Sequence, residues 1–293
     1  TYGRYCHRLD AGCALLASHE LPQPQPYNSL LALADGNLVM KNFVRDGSNH
    51  SFLSVLEPSN LAPVCAEVEV PEASIARISS DRTSNGEFVY VAGDHTVFRY
   101  HYSGGALRRD EGWSYRYRTR PEAEQSYAWD PVIAGGNVWF MDNGDNLFTG
   151  SFKDGGVATG PLHLHRVSVA DAGNHASFAP FGLARGTIVN PPLVDSSRGI
   201  VVAFDSGNAR IGAFRIDAAD GFAPIWEHGL NTGNHYLLFP DTGEIVVNDF
   251  VGGLDNIVVL DIESGAELGR APTASQVMSA VFQAPGWDRD IYS

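Results

Sequence analysis

A chain of 293 residues with 44% hydrophobic and only 18% charged content can bury a substantial core, which excludes a disordered or coiled-coil class. Its formal net charge of −14 offers no basic footprint for phosphate and no attraction to an anionic bilayer, which argues against nucleic-acid and membrane partners. No apolar run reaches the roughly 18 residues that a membrane-spanning helix needs.

In chain order the first element is a hairpin, residues 5–10 and 13–18 around Gly12. Residues 28–34 and 38–43 form a second apolar pair around the turn Asp35-Gly36-Asn37. The same pairing returns at 74–78 with 88–91, at 130–133 with 138–141 and at 190–194 with 200–204. It returns twice more, at 234–240 with 244–250 and at 277–282 with 290–292. Starts near 28, 74, 130, 190, 234 and 278 give spacings of 46, 56, 60, 44 and 44. A second hairpin follows in most copies, as at 52–56 with 62–67, 96–100 with 107 onward, 211–216 with 222–226 and 257–262 with 266–270. Four strands repeated every 40–50 residues or so predict a β-propeller.

The last copy has only two strands, and the N-terminal hairpin is the missing pair. The expected fold is therefore all-β: a six-bladed β-propeller of four-stranded antiparallel blades, closed by the N-terminal hairpin, which completes the last blade and removes open edges. The single domain spans 1–293, with the sixth blade's outer strands in 1–21 and its inner strands in 276–293. Blades one to five occupy 27–71, 73–118, 128–182, 187–228 and 233–272. Two stretches exceed the repeat. Residues 142–161 are rich in Gly, Asp and Asn and predict a long loop; part of 108–128 is a connection around Arg118 to Ser126.

Cys6, Cys13 and Cys65 cannot all pair with one another. Cys6 and Cys13 flank the first hairpin turn, yet such cysteines are usually small buried hydrophobes in a reducing compartment. The reading is a soluble, cytoplasmic protein; because the chain begins at Thr1, a trimmed leader and export stay open. Two lysines against eighteen arginines reflect a GC-rich bacterial coding bias. No G-x-S-x-G elbow, Walker A loop, H-E-x-x-H or Cys/His metal spacing occurs. His163 and His165 alternate on one face of an outer strand and read as a surface pair away from any site.

The repeat form resembles the six-bladed propellers of the senescence-marker-protein/gluconolactonase-like and quinoprotein-like superfamilies, over the whole chain. The resemblance implies that site residues gather where first strands begin and second strands end. First-strand starts offer Asn28, Ser74, Asp130, Asn190 and Asn234-His235; second-strand ends offer Lys41-Asn42, Asp94-His95, Asp142-Asn143, Asp205-Ser206 and Asn248-Asp249. It further implies an axial divalent ion, calcium foremost because the donors are oxygens, held by Asn28, Asp130, Asn190 and Asn234. Asn28 stands where those families carry glutamate, so Asp142, Asp205 or Asp249 has to add a carboxylate; His235 would favour a softer metal. His235 is the expected general base, with Asp130 as its catalytic companion. Lys41, Arg77, Trp129, Asp142, Asp205 and Asp249 are the substrate-binding candidates, against structural ion pairs for the two cations. The function read from this set is a metal-assisted hydrolase of a lactone or ester taking a small-molecule ligand at the channel mouth, as a monomer or an oligomer of unknown order. A noncatalytic propeller binding a small ligand or a protein is the alternative, and a quinone-dependent dehydrogenase the third reading.

Overall fold

The computed structural model describes residues 4–22, 29–43, 50–74, 76–118, 128, 130–144, 160–183, 190–216, 221–232, 235–276, 282–283 and 291–292. Among them the structure is strands and turns, with one helical turn at Ser206–Asn208. No helix is long and apolar enough to cross a membrane. The chain divides into two compact units.

The first unit is Thr1–Pro121, Gln125–Ile133 and Ala170–Gly173. It opens with a two-stranded sheet of β1 (Tyr5–Leu9) and β2 (Leu15–Glu20). A four-stranded antiparallel sheet follows in chain order: β3 (Ser29–Ala32), β4 (Leu38–Phe43), β5 (Ser51–Leu56) and β6 (Val68–Val70). The next is β7 (Ser79–Thr83), β8 (Gly86–Ala92), β9 (Thr96–Ser103) and β10 (Ala106–Arg116). Alternate residues of these strands meet in one core of Leu33, Val39, Leu53, Val89, Val91 and Tyr100 with their neighbours. Polar bonds tie the two sheets as well. Tyr102 donates to Asp35 at 2.7 Å, and the Ala34 amide donates to the buried Glu87 carboxylate at 2.7 Å.

The second unit is Glu122–Glu124, Ala134–Val169 and Asn174–Ser293. Its first sheet runs β11 (Val132–Ala134), which enters the unit at Ala134, then β12 (Asn137–Asp142), β13 (His163–Ser168) and β14 (His175–Phe178). Then come β15 (Leu193–Asp195), β16 (Ile200–Asp205), β17 (Arg210–Ile216) and β18 (Phe222–His228). The last four-stranded sheet is β19 (Leu237–Phe239), β20 (Glu244–Val251), β21 (Leu254–Asp261) and β22 (Glu267–Pro272). β23 (Phe282–Gln283) and β24 (Ile291–Tyr292) pair separately. Every residue of β16 is buried, as suits a strand covered on both faces. Ile200, Val202 and Phe204 pack with Ile245, Val247 and Leu260 in a core shared by the last two four-stranded sheets. The seam is closed by Trp226, whose indole donates to the Ile262 carbonyl at 2.8 Å, and by His228 at 2.8 Å from the Gly265 carbonyl. Gly265 has φ +72°, and a Cβ there would fall 2.7 Å from both rings, so only glycine lets the turn approach them.

Five four-stranded antiparallel sheets met in chain order are the blades that the repeat predicts, and the turns sit where the glycines put them. Two expected strands move. Residues 74–78 lead into β7, a polar strand (Ser-Ser-Asp-Arg-Thr), because Ile78 is buried in the core without being in the ladder. Residues 62–67 give way to β6, leaving only an isolated bridge between Leu56 and Pro63. The first hairpin pairs Cys6 with His19, and all three cysteines are free thiols. β1–β2 and β23–β24 stand as the two half-sheets from which we propose the closure of a sixth blade.

Candidate metal centre

The strand ends hold most of the buried polar groups. β12 ends at Asp142, whose carboxylate is 1% exposed, and the chain returns as β13 through His163 and His165. The antiparallel register sets Asp142 directly opposite His163 and Phe140 opposite His165. Because alternate residues share a face, both imidazoles turn to the same carboxylate. His163 Nδ1 lies 3.2 Å from Asp142 Oδ1, and His165 Nε2 lies 3.1 Å from Oδ2. The Gly144 amide donates to Oδ1 at 2.8 Å, and the Phe140 ring stacks on His165 with centroids 4.6 Å apart. Burial alone would raise the Asp142 carboxyl, but the bonds to the two histidines and their charge outweigh it and hold it well below the usual carboxylate range.

One carboxylate and two imidazoles, with ligand atoms within 4.8 Å of one another, form a set that can hold a divalent ion. His165 is buried, while the His163 side chain is 24% exposed, so the cluster reaches solvent on the His163 side. Asp142 was legible from the sequence as a strand-end carboxylate. The histidines were not, since a surface pair was expected; the β12–β13 register brings them inward.

The other sequence candidates fall in two places. In the first unit, Lys41 is fully buried, with its ammonium donating to the Ser74 carbonyl, to Ser74 Oγ at 3.1 Å and to the Ala76 carbonyl. Burial pushes the amine down to about 7, against the pull of Asp130 and Asp94. It is held inside the fold rather than offered to a ligand. Asp130 sits just ahead of β11, accepting from the Arg77 amide at 2.5 Å and facing the exposed Arg77 guanidinium at 3.5 Å. Desolvation raises the Asp130 carboxyl despite those partners.

In the second unit, Asn190 is buried three residues before β15 and donates through Nδ2 to Ser206 Oγ at 2.6 Å. His235 precedes Tyr236 with φ +65°, a conformation uncommon outside glycine. The Asp205 carboxylate caps the turn after β16, accepting from the Asn208 amide at 3.1 Å and its side chain at 2.8 Å. Asp249 accepts from the Asn231 amide at 3.0 Å and from Arg270 at 2.7 Å. These two carboxylates tie strand ends together. Asn28, Trp129 and Asn234 lie outside the described residues, so two of the four expected oxygen ligands do as well.

No family model and no curated protein matches the chain. Solved structures do match it, at identities that bear on fold alone. A Dos1 propeller aligns at 10% identity over 95% of this chain and 67% of its own, with a TM-score of 0.61. The periplasmic gluconolactonase PpgL of Pseudomonas aeruginosa aligns at 14% identity over 90% and 75%, with a TM-score of 0.57. A Bacteroides fragilis NCTC 9343 protein described as a candidate 6-phosphogluconolactonase aligns at 15% identity over 92% and 78%, with a TM-score of 0.56. The fold is a β-propeller like theirs.

Proposed function

We propose that this chain is a metal-assisted hydrolase of a lactone or ester, acting at Asp142, His163 and His165. The observation that carries the reading is the convergence of two imidazoles on one buried carboxylate with one side open to solvent. The gluconolactonase named among its fold relatives supports the choice of substrate class. A divalent ion held by these three residues would polarise the acyl carbonyl and acidify a water. Asp142 supplies the negative charge, and the Gly144 amide holds its Oδ1 in place. Phe140 fixes the His165 ring by stacking on it. His163 is the member of the set at the solvent side. His235 is retained as the candidate general base.

The test is hydrolysis of aldonolactones and simple aryl esters by the chain loaded in turn with zinc, manganese and calcium, followed by a pH indicator. Turnover that requires an added ion and falls at least about 100-fold in Asp142→Asn supports the reading. Absence of turnover with every ion and substrate class overturns it in favour of a noncatalytic ligand-binding propeller.

A further inference from the structure

The donors in this cluster discriminate between ions. Calcium takes six to eight oxygens, usually with several carboxylates or carbonyls. Among the described residues the local set has two nitrogens and one carboxylate, and one of that carboxylate's oxygens already accepts the Gly144 amide. Imidazole nitrogen with a single carboxylate suits first-row ions of intermediate softness, zinc among them. Each carboxylate oxygen lies 3.1–3.2 Å from one imidazole nitrogen, and the three donor atoms lie within 4.8 Å of one another.

The surroundings suit a site with open positions rather than a closed structural one. Structural zinc is usually enclosed by four protein ligands, whereas catalytic zinc keeps three and leaves the remainder to water or substrate. Among the described residues three donors converge here, His165 and Asp142 from within the fold and His163 from its edge. The donors sit on paired strands in strict register, with Gly144 and Phe140 bracing two of them, so the site is built on the rigid part of the blade.

We infer that Asp142, His163 and His165 form a three-ligand site for one first-row transition ion or zinc, selective against calcium and open on the His163 side. The inference rests on the hydrolase reading only in sharing its residues.

The test uses the full chain stripped with chelator and then titrated by calorimetry with zinc, cobalt and calcium. The visible spectrum of the cobalt form reports its coordination directly. The expected result is one equivalent of zinc or cobalt bound, a cobalt spectrum of low-coordinate nitrogen/oxygen type, and no calcium heat from this site. His163→Ala, a change at a partly exposed position, should weaken cobalt binding at least about 10-fold and alter the spectrum; His165→Gln should do the same. Failure of wild-type protein to bind zinc or cobalt, or binding and spectra unchanged in both variants, overturns the inference. Tight cobalt binding without turnover sinks the hydrolase reading and leaves the site standing. Calcium-dependent turnover unaffected by His163→Ala overturns both, because hydrolysis then takes place away from these three residues.

Discussion

Lys41→Met is the sharpest probe of how this fold tolerates a buried charge. The wild-type ammonium donates to the Ser74 and Ala76 carbonyls and to Ser74 Oγ with no exposed surface. Methionine leaves the two carbonyls buried without that donor, at about 1–3 kcal/mol each. It also removes an ammonium whose burial lowers its titration from 10.5 to about 7, which at about 1.4 kcal/mol per unit is a penalty of about 5 kcal/mol at low pH. The two effects largely offset near neutrality, so the variant should differ from wild type at pH 7 by no more than about 3 kcal/mol. The pH dependence separates them. Below pH 7 the lysine is protonated in both folded and unfolded chains, and its contribution is constant. Between about 7 and 10.5 the unfolded chain binds more protons than the folded one, so wild-type stability rises with pH. From pH 7 to pH 9 the gain is about 2 kcal/mol in wild type and absent in the variant. Urea denaturation of both proteins at the two pH values measures it as a double difference, which cancels every group they share. A change below about 0.5 kcal/mol would show that the amine keeps its ordinary titration and refute the reasoning.

Gly144→Ala forces a side chain onto φ +90° with its Cβ 2.4 Å from the Pro161 carbonyl oxygen; the expected loss is about 1–3 kcal/mol, seen in thermal melts, with weaker cobalt binding because the Gly144 amide shifts. Asp195→Asn removes a carboxylate that accepts from Ser197 and Arg198 at 2.6 Å each, costing about 2 kcal/mol at pH 7. Burial raises that carboxyl, but the Ser197 and Arg198 bonds prevail and lower it. Its stabilisation is therefore present above the unfolded value near 4 and lost as pH falls, so wild type should lose more stability than the variant between pH 5 and 3. Deletion of residues 1–20 tests the proposed sixth-blade closure: a melting point at least about 10 °C lower is expected, and an unchanged one would remove the hairpin from the ring.

How far the sequence could be read depends on whether a feature is local. Strand pairs such as Leu38–Phe43 with its Asp35-Gly36-Asn37 turn announce themselves, because turn chemistry and alternation act within a few residues. β7 was missed because its residues are polar and its place is set by backbone pairing to β8, while apolar Ile78 beside it serves the core. The candidate metal centre was half legible. Asp142 stood at a strand end, but the histidines lie some twenty residues away, and only the β12–β13 register turns them inward. Lys41 shows the converse: its place near a strand end leaves a ligand contact and a structural role both open, and the acceptors around it come from the segment ahead of the next blade.

Gly144 and Gly160 carry one more consequence. A Cβ on Gly144 would lie 2.6 Å from the Gly160 Cα, so the chain leaves β12 and comes back to β13 through nearly the same point. The β12–β13 register is set by backbone bonds from Asn137 to Asp142 and from His163 to Ser168, none of them made by the residues between the two glycines. Doubling the length of a segment whose ends are held together costs only about 0.6 kcal/mol in closure entropy. The number of residues between Gly144 and Gly160 can therefore change while the strand pairing that carries Asp142, His163 and His165 stays as it is.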